Sequence, residues 1–333
     1  MSSELGDYRE SFVRFLAEEE FSFPRAAEHG FVAMAVGEEH GGAGVADRRF
    51  GFALIEEAMR AGQTALALAL AEHNLVAVPL LLGRGDDERL ATGELCLACA
   101  GLEQPLDARA QALQGSAAWV IGGEKAGRFL LAGRSAPEDA DVSLYSVGAD
   151  APGLTVTPSE PPPGLEGCDL AGLQLAGVPA ERLGGADLVA EAQIERWLAL
   201  AVLALAGART ALETTVQYVG DRRAFGQPIA RFQNTRVALA RVACQLDAVG
   251  AFVERCVSER EAGGLTAPRA ASAKLGASEA YGAAVDCGVQ LHGGYGYMAE
   301  YAIARAYADA RFLRLYGGRS EALAERLAAS IGL

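Results

Sequence analysis

Three arginines crowd one short stretch of this sequence. Arg222, Arg223 and Arg231 lie in DRRAFGQPIARFQNTRVALARV beside Phe225, Gly226 and Pro228. The stretch leaves a helical pattern at Gly220 and re-enters one near Gln233. Guanidinium groups bind phosphate oxygens in forks and a helix start adds backbone N–H donors, so these residue types suit a phosphate clamp. They equally suit an exposed interhelical loop. A second stretch, QLHGGYGYMAEYAIARAYADARFLRLYGG, sets Gly293 beside Gly294 after a helix, where backbone can closely approach a flat ligand. His292 within it has no acidic partner close in sequence and reads as a structural histidine. Cys96 and Cys99 form one CxxC in an apolar, strand-like run, with no second pair. His29, His40, His73 and His292 are scattered, so no metal site is expected. The phosphate loop GxxxxGK[ST], the nucleophile elbow GxSxG and a GxGxxG turn are all missing.

The elements that must position these residues follow from hydrophobic spacing. Apolar residues recur at helical intervals in YRESFVRFLAEEE and FGFALIEEAMR, with the glycine cluster EEHGGAGVAD between them as a loop. From about Leu95 to Gly185 the pattern changes to short strands: LCLACAGL, AWVIGG, FLLAGR, VSLYSVG and LTVTPS. PSEPPPG is a stiff connector. After Asp187 the chain is helical again, with breaks at the arginine stretch, at EAGGLTAP and at LHGGYGY. The expected fold is mainly α with a small β domain: residues 1–94 helical, 95–186 a reduced β domain, 187–333 a helical bundle.

Composition narrows the function classes. The 333 residues are 51% hydrophobic and 22% charged, enough for a sizeable core. A net charge of −14 argues against nucleic acid or an anionic membrane surface as a partner. The N-terminus lacks a basic head followed by an apolar stretch, and Trp197 to Ala208 falls short of a bilayer span. Six cysteines without a tight framework fit reduced thiols, and a cytoplasmic location is expected.

The two stretches together resemble the C-terminal half of the acyl-CoA dehydrogenase family. Its pattern R-x-x-F-G-x-P-I-x-x-F-Q is present as Arg222, Phe225, Gly226, Pro228, Ile229, Phe232 and Gln233. Its Q-x-x-G-G-x-G-[YF] is present as Gln290, Gly293, Gly294, Gly296 and Tyr297, followed by Asp309, Ala310 and Arg311. EEHGGAG at 38–44 and GLEQP at 101–105 resemble further family elements, so the likeness spans nearly the whole chain. It implies a helical N-terminal domain, a middle β domain and a C-terminal four-helix bundle.

It also implies FAD and oxidation of the Cα–Cβ bond of an acyl thioester carried on CoA or a carrier protein. A carboxylate takes the α proton while the β hydrogen leaves as hydride, and hydrogen bonds to the thioester carbonyl acidify the α proton. The commonest family base directly follows the tyrosine matched by Tyr316, a candidate substrate contact. Here that position is Gly317, which keeps the backbone N–H for the carbonyl and loses the carboxylate. A second family base position falls on Arg196 by gapless counting from Arg222, leaving its neighbour Glu195 as the candidate base; Glu300 and Glu321 are further candidates. Arg222, Phe225, Gln233, Gln290, Gly293 and Gly294 are implied to reach a neighbouring subunit's FAD across a dimer interface. The Gly-Ser-Asp turn and Lys-x-x-aromatic-Ile-Thr/Ser strand that grip the flavin ring are missing, since GGEKAGRFLLAGRS passes straight into the next strand. Three readings stand: an active dehydrogenase in a homo-dimer, tetramer or heteromer; a silent companion completing a full-length sister subunit's FAD site; and a non-redox or oxygen-using acyl-binding relative. An electron-transfer flavoprotein is the implied acceptor.

Overall fold

The computed structural model describes residues 2–18, 20–109, 112–135 and 141–333. Two compact units emerge: one of Met1–Glu57, Ala65–Pro161 and Glu166–Arg196, the other of Ala58–Thr64, Pro162–Leu165 and Trp197–Leu333.

The first unit begins with α1 (Ser2–Glu18) and α2 (Phe23–Glu28). Phe12 and Phe15, three residues apart on α1, share a buried face and meet Phe31 edge-on. Ser22 caps α2, its hydroxyl accepting the Arg25 N–H at 3.4 Å. Then come α3 (Arg48–Arg60), whose last three residues count with the second unit, α4 (Thr64–Leu70), which joins the first unit from Ala65, seven π-helical residues Ala71–Ala77, α5 (Val78–Leu81) and α6 (Asp87–Ala91). The wider winding precedes Pro79, whose ring would otherwise press on the carbonyl four residues back. Thr64–Leu81 is long and apolar enough to cross a membrane by length and composition, a property the sequence reading assigned to no segment. It is 78% buried within the chain and holds Glu72, His73 and Asn74, as a core helix does.

The β part comprises β1 (Leu97–Ala100), β2 (Leu106–Arg109), β3 (Ala112–Ile121), β4 (Arg128–Arg134), β5 (Val142–Gly148), β6 (Leu154–Pro158), β7 (Leu170–Pro179) and β8 (Glu181–Gly184). Their order is β6-β7-β3-β2-β4-β5-β8, with β1 also on β4. β1 and β2 run parallel to β4; the other pairs are antiparallel. Phe129 to Gly133 and Ser143 to Val147 are buried on both faces, which explains their near-continuous apolar spelling. Strands β2, β7 and β8 have no counterpart in the sequence reading. LAGLQLAGVP carries glycines and a proline that resemble loop punctuation, and its pairing with β3 and β6 overrides them.

Helix α7 (Ala186–Asp221) continues from the first unit into the second. The second unit adds the hairpin β9 (Arg223–Ala224) and β10 (Gln227–Pro228), then α8 (Gln233–Glu261), α9 (Ala267–His292), α10 (Ala302–Leu313) and α11 (Ser320–Ser330). Alanine-rich faces let these helices approach closely. A Cβ at Gly207 of α7 would lie 2.6 Å from the Tyr281 ring and 2.7 Å from the Met59 methyl.

Candidate functional site

In the second unit the arginine stretch forms a tight turn at the end of α7. The Arg222 N–H donates to Tyr218 O at 2.8 Å and the Ile229 N–H to Arg222 O at 2.8 Å, pinning both ends. Phe225 (φ 51°) and Gly226 (φ 81°) are the central residues of the hairpin, both left-handed as a primed turn requires. Phe225 is 96% exposed. Its ring lies edge-on to Phe232 at 6.2 Å and is otherwise largely in solvent. At the other stretch α9 stops at Gly293 (φ 62°) and passes into a 3-10 turn, Gly293–Tyr297. His292 is buried, its Nδ1 2.7 Å from Gly288 O and its ring stacked 3.9 Å from Tyr218.

The two stretches meet. Arg222, Gln290, Gly293 and Gly294 line one open cleft of about 450 Å³ with Tyr218, Ile229 and Tyr295. That volume lies within the usual range for small-molecule sites. The Arg222 guanidinium lies 5.3 Å over the Tyr295 ring. A Cβ added at Gly293 or Gly294 would meet nothing within 4 Å, so their bare backbone faces open space. Phe225 and Gln233 do not line this cleft; both are exposed on the turn and the start of α8. The cleft thus offers a cation, an amide and unobstructed backbone to a flat, anionic group, and its residues fit the pyrophosphate-bearing part of FAD.

The Gly317 position lies in the turn between α10 and α11 and is buried. Gly317 (φ 64°) and Gly318 (φ 102°) are both left-handed. Trp197 Nε1 donates to Gly317 O at 2.7 Å, and Lys274 Nζ donates to Gly318 O at 2.6 Å. Tyr316 stacks on Phe312 at 5.4 Å. Glu300 and Glu321 are exposed.

In the first unit Glu195 is buried and accepts a hydrogen bond from Arg48 Nε at 2.7 Å. Arg196, the next residue of α7, is locked more tightly. Its Nη2 bonds Glu72 at 2.7 Å and Cys99 O at 3.2 Å, and its Nη1 bonds Glu103 at 3.2 Å. Both Arg196 and Glu72 are about 3% exposed, so this ion pair is fully desolvated. The neighbouring Gln193 amide donates to Leu102 O, tying α7 to the segment after β1.

Glu72, Glu103, Trp197, Lys274, Tyr218 and Tyr295 lie outside the sequence-based set. A signal for Glu72 existed: three consecutive polar residues, Glu-His-Asn, interrupt the apolar run TALALALAEHNLVAVPLLL. All three are buried and bonded. His73 Nδ1 accepts the Leu97 N–H at 3.2 Å, and burial holds its pKa down to about 4. Asn74 accepts from Ala33 N at 3.0 Å and donates to Phe31 O at 2.8 Å. The short passage from β3 to β4 also has a structural basis. The turn after β3 is cinched by Asp169, whose carboxylate accepts the N–H groups of Glu124 (2.8 Å) and Lys125 (3.1 Å), and the chain enters β4 at once. Among the described residues no group of three or more His, Cys, Asp or Glu could hold a metal ion.

Helices, a mixed sheet and further helices in this order define the acyl-CoA dehydrogenase fold. A crystal structure of an acyl-CoA dehydrogenase from Geobacillus kaustophilus superposes with a TM-score of 0.89 at 25% identity, over 99% of this chain and 98% of that one. Profiles of the acyl-CoA dehydrogenase N-terminal and C-terminal domains match residues 7–91 and 185–332. The long-chain specific acyl-CoA dehydrogenase of Sus scrofa mitochondria is 30% identical over 99% of this chain and 87% of its own. The benzylmalonyl-CoA dehydrogenase of Aromatoleum aromaticum is 31% identical over 92% of this chain and 89% of its own. The chain belongs to the acyl-CoA dehydrogenase family. The porcine alignment runs over 380 positions against the 333 residues here, so that relative carries segments without a counterpart in this chain.

Proposed function

We propose that this chain is the FAD-completing member of an acyl-CoA dehydrogenase oligomer, taking part in α,β-dehydrogenation of an acyl thioester without supplying the base itself. The observation that carries the reading is the state of the two base positions. One is Gly317; the other is Arg196, a cation bonded to Glu72, Glu103 and a backbone carbonyl. Neither can accept a proton. Against this, the cleft of Arg222, Gln290, Gly293 and Gly294 is intact and open, and Phe225 stands beside it in solvent on the turn. Arg222 and Gln290 would hold phosphate oxygens of FAD, and Gly293 and Gly294 would let it approach the backbone. FAD, when bound, supplies the hydride acceptor. Gly317 would donate its N–H to the thioester carbonyl, as its family counterparts do. A full-length sister chain would contribute the ring-binding strand that this chain lacks after Lys125. All six cysteines are unbonded, which supports a reducing, cytoplasmic compartment.

A second reading, an active dehydrogenase using Glu195, is favoured by the burial of that carboxylate one residue from the base position. Absorbance of the purified chain, alone and co-expressed with a sister chain, separates the two. The companion reading expects a colourless chain that gains stoichiometric flavin only in the complex. Flavin bound one per chain and bleached by acyl-CoA in the lone protein would overturn it. Glu195→Gln would then decide the base.

A further inference from the structure

Two glycines in succession cannot by themselves hold a backbone N–H in one direction, because glycine has the widest conformational choice of any residue. The turn at Gly317 and Gly318 is nevertheless tied on both sides and at both glycine carbonyls. On its N-terminal side the N–H groups of Leu315 and Tyr316 both donate to Phe312 O, at 2.8 and 2.9 Å. On its C-terminal side the Ser320 N–H closes onto Arg314 O at 3.2 Å. Between these, the two glycine carbonyls receive side-chain donors from two other helices. Trp197 of α7 donates to Gly317 O, and Lys274 of α9 donates to Gly318 O.

Both donors are expensive to place there. Trp197 and Lys274 are each 1% exposed, and a buried ammonium loses several kcal/mol of hydration unless it is well bonded. Lys274 is one of only two lysines in the chain. Helix packing alone would be served by an apolar residue of the same length. The Trp197 ring is itself held, with the Arg326 guanidinium 5.5 Å above it, and a Cβ on Gly318 would sit 3.5 Å from Trp197 Nε1. The carbonyl of residue 317 fixes the peptide plane that follows the Gly317 Cα, and the Tyr316 N–H bond to Phe312 O fixes the plane that precedes the Tyr316 Cα. The Gly317 N–H lies in the single peptide plane between these two, so the tied planes on either side restrict the directions it can take.

We infer that Trp197 and Lys274 are positioning residues that hold the Gly317 N–H toward a thioester carbonyl, with the Lys274 charge raising the local positive potential. This rests on the acyl-thioester reading above. It also accounts for a turn kept rigid where the base carboxylate is gone: a chain that only polarises the carbonyl still needs the donor aimed.

The test compares a thioester with its carbonyl-free twin. Affinities of butyryl-, octanoyl- and palmitoyl-CoA, and of S-butyl-, S-octyl- and S-hexadecyl-CoA, are measured by calorimetry on the protein as purified with any co-purifying subunit. The ratio within a pair isolates the carbonyl contact. Wild type prefers the thioester in at least one pair. Trp197→Phe and Lys274→Met each lower that preference by about tenfold, the scale of one lost hydrogen bond, while thioether affinity stays the same. Lys274→Arg restores most of it. Folded variants that keep the wild-type ratio overturn the clamp and leave the thioester reading standing. A wild-type ratio of one in every pair overturns both. Trp197→Phe, which keeps the ring and removes the donor's bond, decides the matter if Lys274→Met does not fold.

Discussion

The buried histidine of the π-helical segment makes stability depend on pH in a calculable way. His73 accepts the Leu97 N–H through Nδ1 and is held neutral by burial, with its pKa near 4 against an ordinary 6.5. Above pH 6.5 the imidazole is neutral in both folded and unfolded chains and costs nothing. As pH falls below 6.5 the unfolded chain gains a proton that the folded one refuses, so stability drops by up to 1.4 kcal/mol per pH unit, about 3 kcal/mol in all by pH 4. The isoelectric point near 4.8 sets a practical lower limit of pH 5.5. Between pH 7.5 and 5.5 the expected loss from this group is about 1.3 kcal/mol, roughly tenfold in the unfolding constant. His73→Gln removes the titration and keeps an acceptor for Leu97. Urea unfolding of both proteins at pH 7.5, 6.5 and 5.5 reads the difference, the carboxylates titrating alike in each. Wild type loses stability more steeply than the variant. Parallel profiles would refute the reasoning, because a neutral buried His73 cannot escape this linkage.

Other perturbations test the packing and the cleft. Arg196→Met strands Glu72 in a buried site and lowers stability by about 3–5 kcal/mol in urea unfolding, whereas Arg196→Met with Glu72→Met recovers most of it. Arg222→Ala weakens FAD retention by the assembled oligomer about tenfold, measured by fluorescence titration after flavin stripping, and reduces its salt dependence. Gly207→Ala drives a methyl into the Tyr281 ring and costs about 1–3 kcal/mol, read as a lower Tm.

Much of the fold is legible in the residues because its signals are local. The helical spacing of FGFALIEEAMR, the punctuation of FLLAGR and VSLYSVG, and the paired motifs around Arg222 and Gly293 each lie within a few turns of chain. They suffice for the order of helices, sheet and helices, and for the family. The long motifs also made it possible to see which residues were missing, since Gly317 and the shortened segment after Lys125 are departures from a spelled pattern. Strand β7 escaped because its glycines and proline are legible as loop residues, and only its two neighbours make it a strand.

The sequence by itself determined the element order, the family and that residue 317 is a glycine, where the resemblance implies a carboxylate. Tertiary structure decided what stands in its place. Arg196 is bonded to Glu72 and Glu103, and Trp197 and Lys274 to the two glycine carbonyls, across separations of 124, 93, 120 and 44 residues. No periodicity in a chain encodes such pairings, because they arise when helices bring distant residues into one water-free volume. There, a buried charge or donor must find a partner.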